Sequence, residues 1–133
     1  MLKKLLVSCA LSAAMAALML PQTASVIAAP DGKAIYDAKC AACHQPSGQG
    51  MPGTFPPLAG NKDVTGDPKS VIAAVAKGKS GALTVAATAY NSSMPAWRGQ
   101  LSDAEIAAVV TYVRSAWGNK ASAVTEKQVS AVK

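Results

Sequence analysis

The chain has 133 residues, half of them hydrophobic and 15% charged, with 13 Lys and Arg against 7 Asp and Glu for a net charge of +6. This length holds one domain at most, and an apolar half with modest charge excludes intrinsic disorder. Ten Gly and eight Pro, scattered rather than periodic, exclude a collagen-like or low-complexity chain.

Residues 1–28 are expected to be a cleavable secretory signal peptide. Lys3 and Lys4 form a charged start, an apolar run extends from Leu5 to Leu20, Pro21 breaks it, and Val26 and Ala28 set up cleavage after Ala28. As an uncleaved anchor the 16-residue run is short for a bilayer. Leu6-Val7-Ser8-Cys9 resembles a lipoprotein signal box, but only four residues separate Lys4 from Cys9, too few for an apolar export segment. Export would place the mature chain in the periplasm. That chain has about 105 residues, and losing Lys3 and Lys4 lowers the net charge to about +4. Its lysines are dispersed, with no basic stripe interleaved with aromatics, which argues against nucleic acid. It contains three Leu, three Ile and one Phe, and alanine makes up about a fifth. Such a core is marginal unless something else fills it.

Asp31 can cap a helix over 32–39 that runs into Cys40-Ala41-Ala42-Cys43-His44. Two thiols three positions apart, followed at once by an imidazole, are what attachment of a haem through both vinyl groups with His on the iron requires. A CxxC pair also suits a redox dithiol, a structural disulfide or half a zinc site. The first needs a βαβ context that is absent, and His44 is the only histidine, so a four-ligand zinc site lacks donors. One covalent haem c on Cys40 and Cys43, with His44 on the iron, is the expectation.

Residues 45–66 and 78–101 read as loops rich in Gly, Pro, Asn and Ser. Between them, Asp67-Pro68 starts a helix that carries Val71, Ile72 and Val75 on one face and stops at Gly78. Leu83-Thr84-Val85 and Thr88-Ala89-Tyr90 could make a short ribbon. Ser102 and Glu105 form a capping box for a third helix, in which Ile106, Val109, Val110, Val113 and Trp117 recur at helical spacing before Gly118. Residues 119–133 form a tail able to dock, pack or fray, fraying being the commoner fate of a terminus.

Met94 lies 50 residues after His44, enough chain to return on the opposite face of the haem, and is the expected second iron ligand. Met51 follows His44 by only seven residues, which would have to wrap a macrocycle roughly 10 Å across at ~3.5 Å per residue.

From Asp31 to Gly118 the chain resembles a class I mono-haem bacterial cytochrome c. The matching residues are the CxxCH at 40–44, Met94-Pro95, and Gly32, Tyr36 and Cys40 at four-residue steps. The resemblance implies an all-α fold of three or more helices and loops wrapped around one covalent haem. It also implies that Gly32 lets the first helix approach the last closely, with Val109 and Tyr112 as partners there. Pro56-Pro57-Leu58-Ala59-Gly60 resembles the family's PxLxG element, whose proline carbonyl, here that of Pro56, accepts from the other nitrogen of the iron-bound histidine. The segment from Leu101 to Asn119 also resembles mono-haem domains in cytochrome subunits of periplasmic dehydrogenases. Ala86-Ala87 departs from relatives that carry Asn or Gly in a tight ribbon turn, which puts a hairpin there in doubt.

Iron closed on both faces leaves one-electron exchange as its chemistry, so an electron carrier rather than an enzyme is expected. Trp97 is expected to pack near the haem, and Tyr90 or Asn91 to bond the methionine side or a propionate. Two alternatives are an electron-entry subunit of a periplasmic dehydrogenase and a haem enzyme or sensor with a labile methionine. The lone histidine argues against the latter, since no second imidazole remains for acid–base work. Expected partners are redox proteins with an acidic face meeting Lys33, Lys39, Lys62, Lys77 and Lys79, with no nucleic acid and no small-molecule substrate. A monomer or weakly associated subunit is expected.

Overall fold

The computed structural model describes residues 28–133, so the expected signal peptide as far as Ile27, Cys9 included, lies outside the described residues. Among the described residues, six helices and one hairpin follow in order: α1 Gly32–Lys39, α2 Ala41–His44, α3 Lys62–Thr65, α4 Pro68–Lys77, β1 Lys79–Val85, β2 Thr88–Met94, α5 Asp103–Ser115 and α6 Glu126–Ser130. None of the described helices is long and apolar enough to cross a membrane.

Each long helix starts where its capping chemistry stands. Asp31 accepts from the N–H groups of Lys33 and Ala34, Asp67 from that of Lys69, and Ser102 exchanges bonds with Glu105 in a complete capping box. These bonds satisfy donors that a helix start leaves without partners. The last long helix ends at Ser115 because Ala116 turns to an extended conformation (φ −80°, ψ 163°), after which Trp117 and Gly118 both adopt positive φ (53° and 85°).

α1 crosses α5 at Gly32. A Cβ there would fall inside the carbonyl of Ala108 and 3.1 Å from Cβ of Tyr112, so only glycine allows this approach. Beyond it, Tyr36, Tyr112 and Trp117 pack their rings 4.9–5.5 Å apart, centre to centre, in tilted and edge-on arrangements that favour aromatic pairs. The Tyr36 hydroxyl donates to the Gln45 carbonyl at 2.6 Å and the Trp117 indole to that of Pro46 at 3.1 Å, which ties the chain after the CxxCH to the helix crossing.

Several expectations are corrected: α3 stands inside residues 45–66, which read as loop, Trp117 falls outside α5, and the hairpin and the C-terminal segment differ as well. The loop over 78–101 contains the doubted hairpin, whose antiparallel register runs from Lys79 opposite Met94 to Val85 opposite Thr88. Ala86 and Ala87 turn it at φ 47° and 64°, the left-handed pair that a two-residue hairpin loop demands. Alanine in that region costs about 1–2 kcal/mol per residue. Burial of Val85 and Tyr90 and the seven-pair ladder offset that cost. The segment after Gly118, for which the sequence leaves docking, packing and fraying all open, packs against the domain. Val124 is buried, Val129 has no exposed surface, and Thr125 and Gln128 form a second capping box. Burying one such valine stabilises by roughly 1.5–3 kcal/mol, enough to hold a short terminal helix against its neighbours.

Candidate haem site

Cys40 both closes α1 and opens α2. The N–H groups of Cys43 and His44 donate to its carbonyl at 3.1 and 2.9 Å, and this single turn places positions 40, 43 and 44 on one helix face. The Cys40 thiol is half-buried, and burial, followed by the neighbouring Cys43, pushes it up to about 11. Cys43 is exposed.

His44 is buried, and its Nδ1 lies 2.9 Å from the Pro56 carbonyl oxygen. A carbonyl can only accept, so Nδ1 carries the proton and Nε2 is left with its lone pair. Burial holds the imidazole below its ordinary pKa, against the opposing effect of the Pro56 bond, so the neutral ring that a metal needs is favoured. The Pro56 carbonyl is in turn backed by Gly50, at φ 65°. A Cβ there would stand 2.7 Å from that oxygen.

Two adjoining cavities, of about 120 and 390 Å³, open beside His44, and Cys40, His44, Pro56, Leu83 and Met94 line both. Cys43, Phe55, Tyr90 and Trp97 face the smaller one. Leu58, Val75, Val109 and Val110 face the larger. Such space greatly exceeds the defects that packing leaves between helices. Its walls are chiefly aliphatic and aromatic, and its thiols and imidazole sit along one edge, a donor set and shape that fit a flat apolar macrocycle joined to the chain through two sulfurs. The shortage of large apolar side chains has its explanation here, because α4 and α5 turn part of their apolar faces to this cleft.

Met94 is the last residue of β2, half-buried, and borders both cavities together with His44. Met51 is 46% exposed in a turn bridged to Phe55 and lines neither. Tyr90 is buried in the smaller cavity, whereas Asn91 is exposed. Lys39 and Lys79 border the smaller cavity and Lys62 and Lys79 the larger, and the Lys39 ammonium lies 5.9 Å from the centre of the Trp97 ring. Lys33 instead pairs with Asp37 at 2.6 Å, and Lys77 lines neither cavity.

Three polar residues that support the site were not singled out by the sequence reading. The Asn119 amide donates to the carbonyls of Leu58 and Val113 at 3.0 and 2.7 Å and accepts from the Gly60 N–H at 2.9 Å, which fixes the strand of chain that follows Pro56. Asn61 caps α3 and donates to the Pro57 carbonyl at 2.8 Å. Arg114, 2% exposed, spends its guanidinium on the carbonyls of Val64, Gly66 and Ser122 at 2.7–3.0 Å. All three act on backbone groups, which carry no signature at the partner position.

A helical turn that presents two thiols and an oriented imidazole to an apolar cleft, under a crossing of the first and last long helices, defines a covalent haem protein of the class I type. The chain belongs to the cytochrome c family, whose model, described as "Cytochrome c", matches residues 29–117. The family carries haem c covalently, here one haem on Cys40 and Cys43. Among curated relatives, the chain is 42% identical over 97 residues to a cytochrome c-552 of Thermus thermophilus, covering 70% of this chain and 64% of that one. It is 44% identical over 92 residues to the cytochrome c subunit of the alcohol dehydrogenase (quinone) of Gluconobacter oxydans, covering 68% of this chain and 19% of the subunit. Against the cbb3-type cytochrome c oxidase subunit CcoP of Azospirillum brasilense the identity is 35% over 99 residues, 70% of this chain and 30% of the subunit. The chain thus spans just under two thirds of the first of these relatives and less than a third of the other two.

Proposed function

We propose that this protein is an exported mono-haem carrier that passes single electrons between redox proteins, with His44 and Met94 as the two axial ligands of the iron. The observation that carries the reading is the shared position of these two side chains on the walls of both cavities. Bound there, the haem iron supplies one-electron exchange between its ferrous and ferric states.

The protein's own groups set the conditions of that exchange. Pro56 holds the His44 ring in one tautomer and raises its basicity. The Met94 thioether, a soft ligand, favours the ferrous state, and the apolar cleft disfavours additional positive charge, so the midpoint potential is positive. Cys40 and Cys43 keep the group attached through every cycle. Leu58, on the wall of the larger cavity, and Trp97, on that of the smaller, would help hold the haem and keep water from it. Lys39, Lys62 and Lys79, at the cavity borders, offer an acidic redox partner a weak, salt-screened encounter at the same edge.

A second reading makes the chain an electron-entry subunit of a periplasmic dehydrogenase, and its 44% identity to an alcohol dehydrogenase cytochrome subunit favours keeping it. Size-exclusion of the native extract separates the two, since a free carrier elutes alone. Optical spectra of the oxidised and reduced protein test the carrier reading. A low-spin reduced spectrum and the near-infrared-edge band of methionine on ferric iron support it, and a high-spin, open-site spectrum overturns it.

A further inference from the structure

We propose that the C-terminal segment 119–133 is a brace that sets how readily the Met94 side of the iron opens, and that Arg98 is the positioning residue through which it acts. The proposal rests on Met94 as axial ligand.

The loop after Met94 is fastened on one side by the end of α4. The N–H groups of Trp97 and Arg98 donate to the carbonyls of Val75 and Ala76 at 3.0 and 3.1 Å, two of the acceptors that a helix end leaves free. Its other fastening is the Arg98 side chain, which runs to the end of α6. There Nη2 donates to the Val129 carbonyl at 2.8 Å and Nη1 to that of Val132. The Val129 carbonyl also accepts from the Val132 N–H at 3.1 Å, so the guanidinium adds a second, charge-assisted bond to it and ties the end of α6 to the loop. The additional pair with Asp103, at 3.3 Å and about one third exposed, contributes little by comparison.

The brace is itself firmly held. Val129 is fully buried, the Val124 backbone exchanges hydrogen bonds with the Thr111 hydroxyl, and the Ser122 carbonyl accepts from Arg114. This segment lies beyond residues 29–117, the part that the family model matches. Moving the backbone that follows Met94 away from His44 loads the Arg98 contacts to α6 together with the Trp97 and Arg98 bonds to α4, so loosening α6 and its buried valine eases that movement. Opening free energies of local segments are set by such contacts.

The test is carbon monoxide binding to the reduced holoprotein, which requires the methionine to leave. Arg98→Gln is expected to speed binding on the order of tenfold, the effect of losing hydrogen bonds to a charged group. Arg98→Lys, which keeps one donor and the charge, is expected to fall between. Val129→Ala loosens the brace from its far side and is expected to speed binding as well, and the double variant to gain less than the product of the two, because both act through one element. Asp31→Ala is the control for general loss of stability: it removes the cap of α1, lowers the melting temperature and leaves carbon monoxide binding at the parent rate. Should Arg98→Gln and Val129→Ala both bind at the parent rate, or Asp31→Ala speed binding equally, the brace is overturned. Met94→Ala separates the two ideas. If it binds no faster than the parent, the ligand assignment has failed; if it binds fast while the Arg98 and Val129 variants do not, the brace alone has failed.

Discussion

The Nδ1–H of His44 donates to the carbonyl of Pro56 across 2.9 Å and twelve residues of chain, and Gly50 stands directly behind that carbonyl. Gly50→Ala puts a methyl group inside contact distance of the Phe55 carbonyl oxygen and 2.7 Å from that of Pro56, and forces a left-handed φ costing about 1–2 kcal/mol. The Pro56 carbonyl then moves, the imidazole loses its acceptor, and the ligand becomes less basic. The Nδ1 proton resonance of the reduced protein should shift toward that of a solvent-exposed imidazole and the midpoint potential should change. An unaltered proton resonance would mean that Gly50 does not hold the Pro56 carbonyl in place.

Met94→Ala should open the iron, so that the variant binds carbon monoxide or azide readily and its midpoint potential falls, because a soft ligand that favours the ferrous state is gone. Met51→Ala, at an exposed turn away from the cleft, should leave both properties near those of the parent. The reverse pattern would place the wrong methionine on the iron.

Gly32→Val tests the helix crossing. The added side chain meets the Ala108 carbonyl and Tyr112, neither of which can retreat without moving α5. Overpacking of this kind costs about 1–3 kcal/mol or more. Chemical denaturation of the holoprotein should show that loss in the midpoint, while the same substitution at Gly53, where a Cβ meets nothing within 4 Å, should cost only its φ strain.

Electron transfer with an acidic partner should slow as ionic strength rises from low values, since Lys39, Lys62 and Lys79 lie at the cavity borders. Lys79→Gln, which removes the charge common to both borders, should weaken that dependence in stopped-flow measurements. Rates indifferent to salt in the parent would point to an apolar docking face.

The Glu105 carboxylate accepts from the backbone N–H and hydroxyl of Ser102 at 2.8 and 2.9 Å, and these bonds hold its pKa below the ordinary value. A depressed folded pKa means stabilisation that is present above the ordinary carboxylate range and is lost as pH falls through the folded value. Glu105→Gln should therefore be less stable than the parent near neutrality, with the difference closing as acid protonates the parent. A difference independent of pH would remove the carboxylate from the capping account.

Local chemistry was open to reading from sequence. The caps Asp31, Asp67 and Ser102 each act within three residues, so the starts of α1, α4 and α5 stand where those residues stand. The CxxCH acts within a single helical turn, and haem attachment could be read from five consecutive residues. What escaped depends on long-range packing. Ala86 and Ala87 carry no turn signal, and their left-handed backbone is imposed by the hairpin register and by the burial of Val85 and Tyr90. Asn119 finds its acceptor at Leu58, 61 residues back, and Arg114 finds its own at Val64, 50 residues back. Backbone carbonyls are present at every residue, so no pattern marks the ones that a distant side chain will reach. Spacing along the chain set Met94 ahead of Met51 as a candidate, but their different surroundings, one on the wall of the cleft with His44 and the other in an exposed turn, arise only when α4, the hairpin and α5 pack around that cleft.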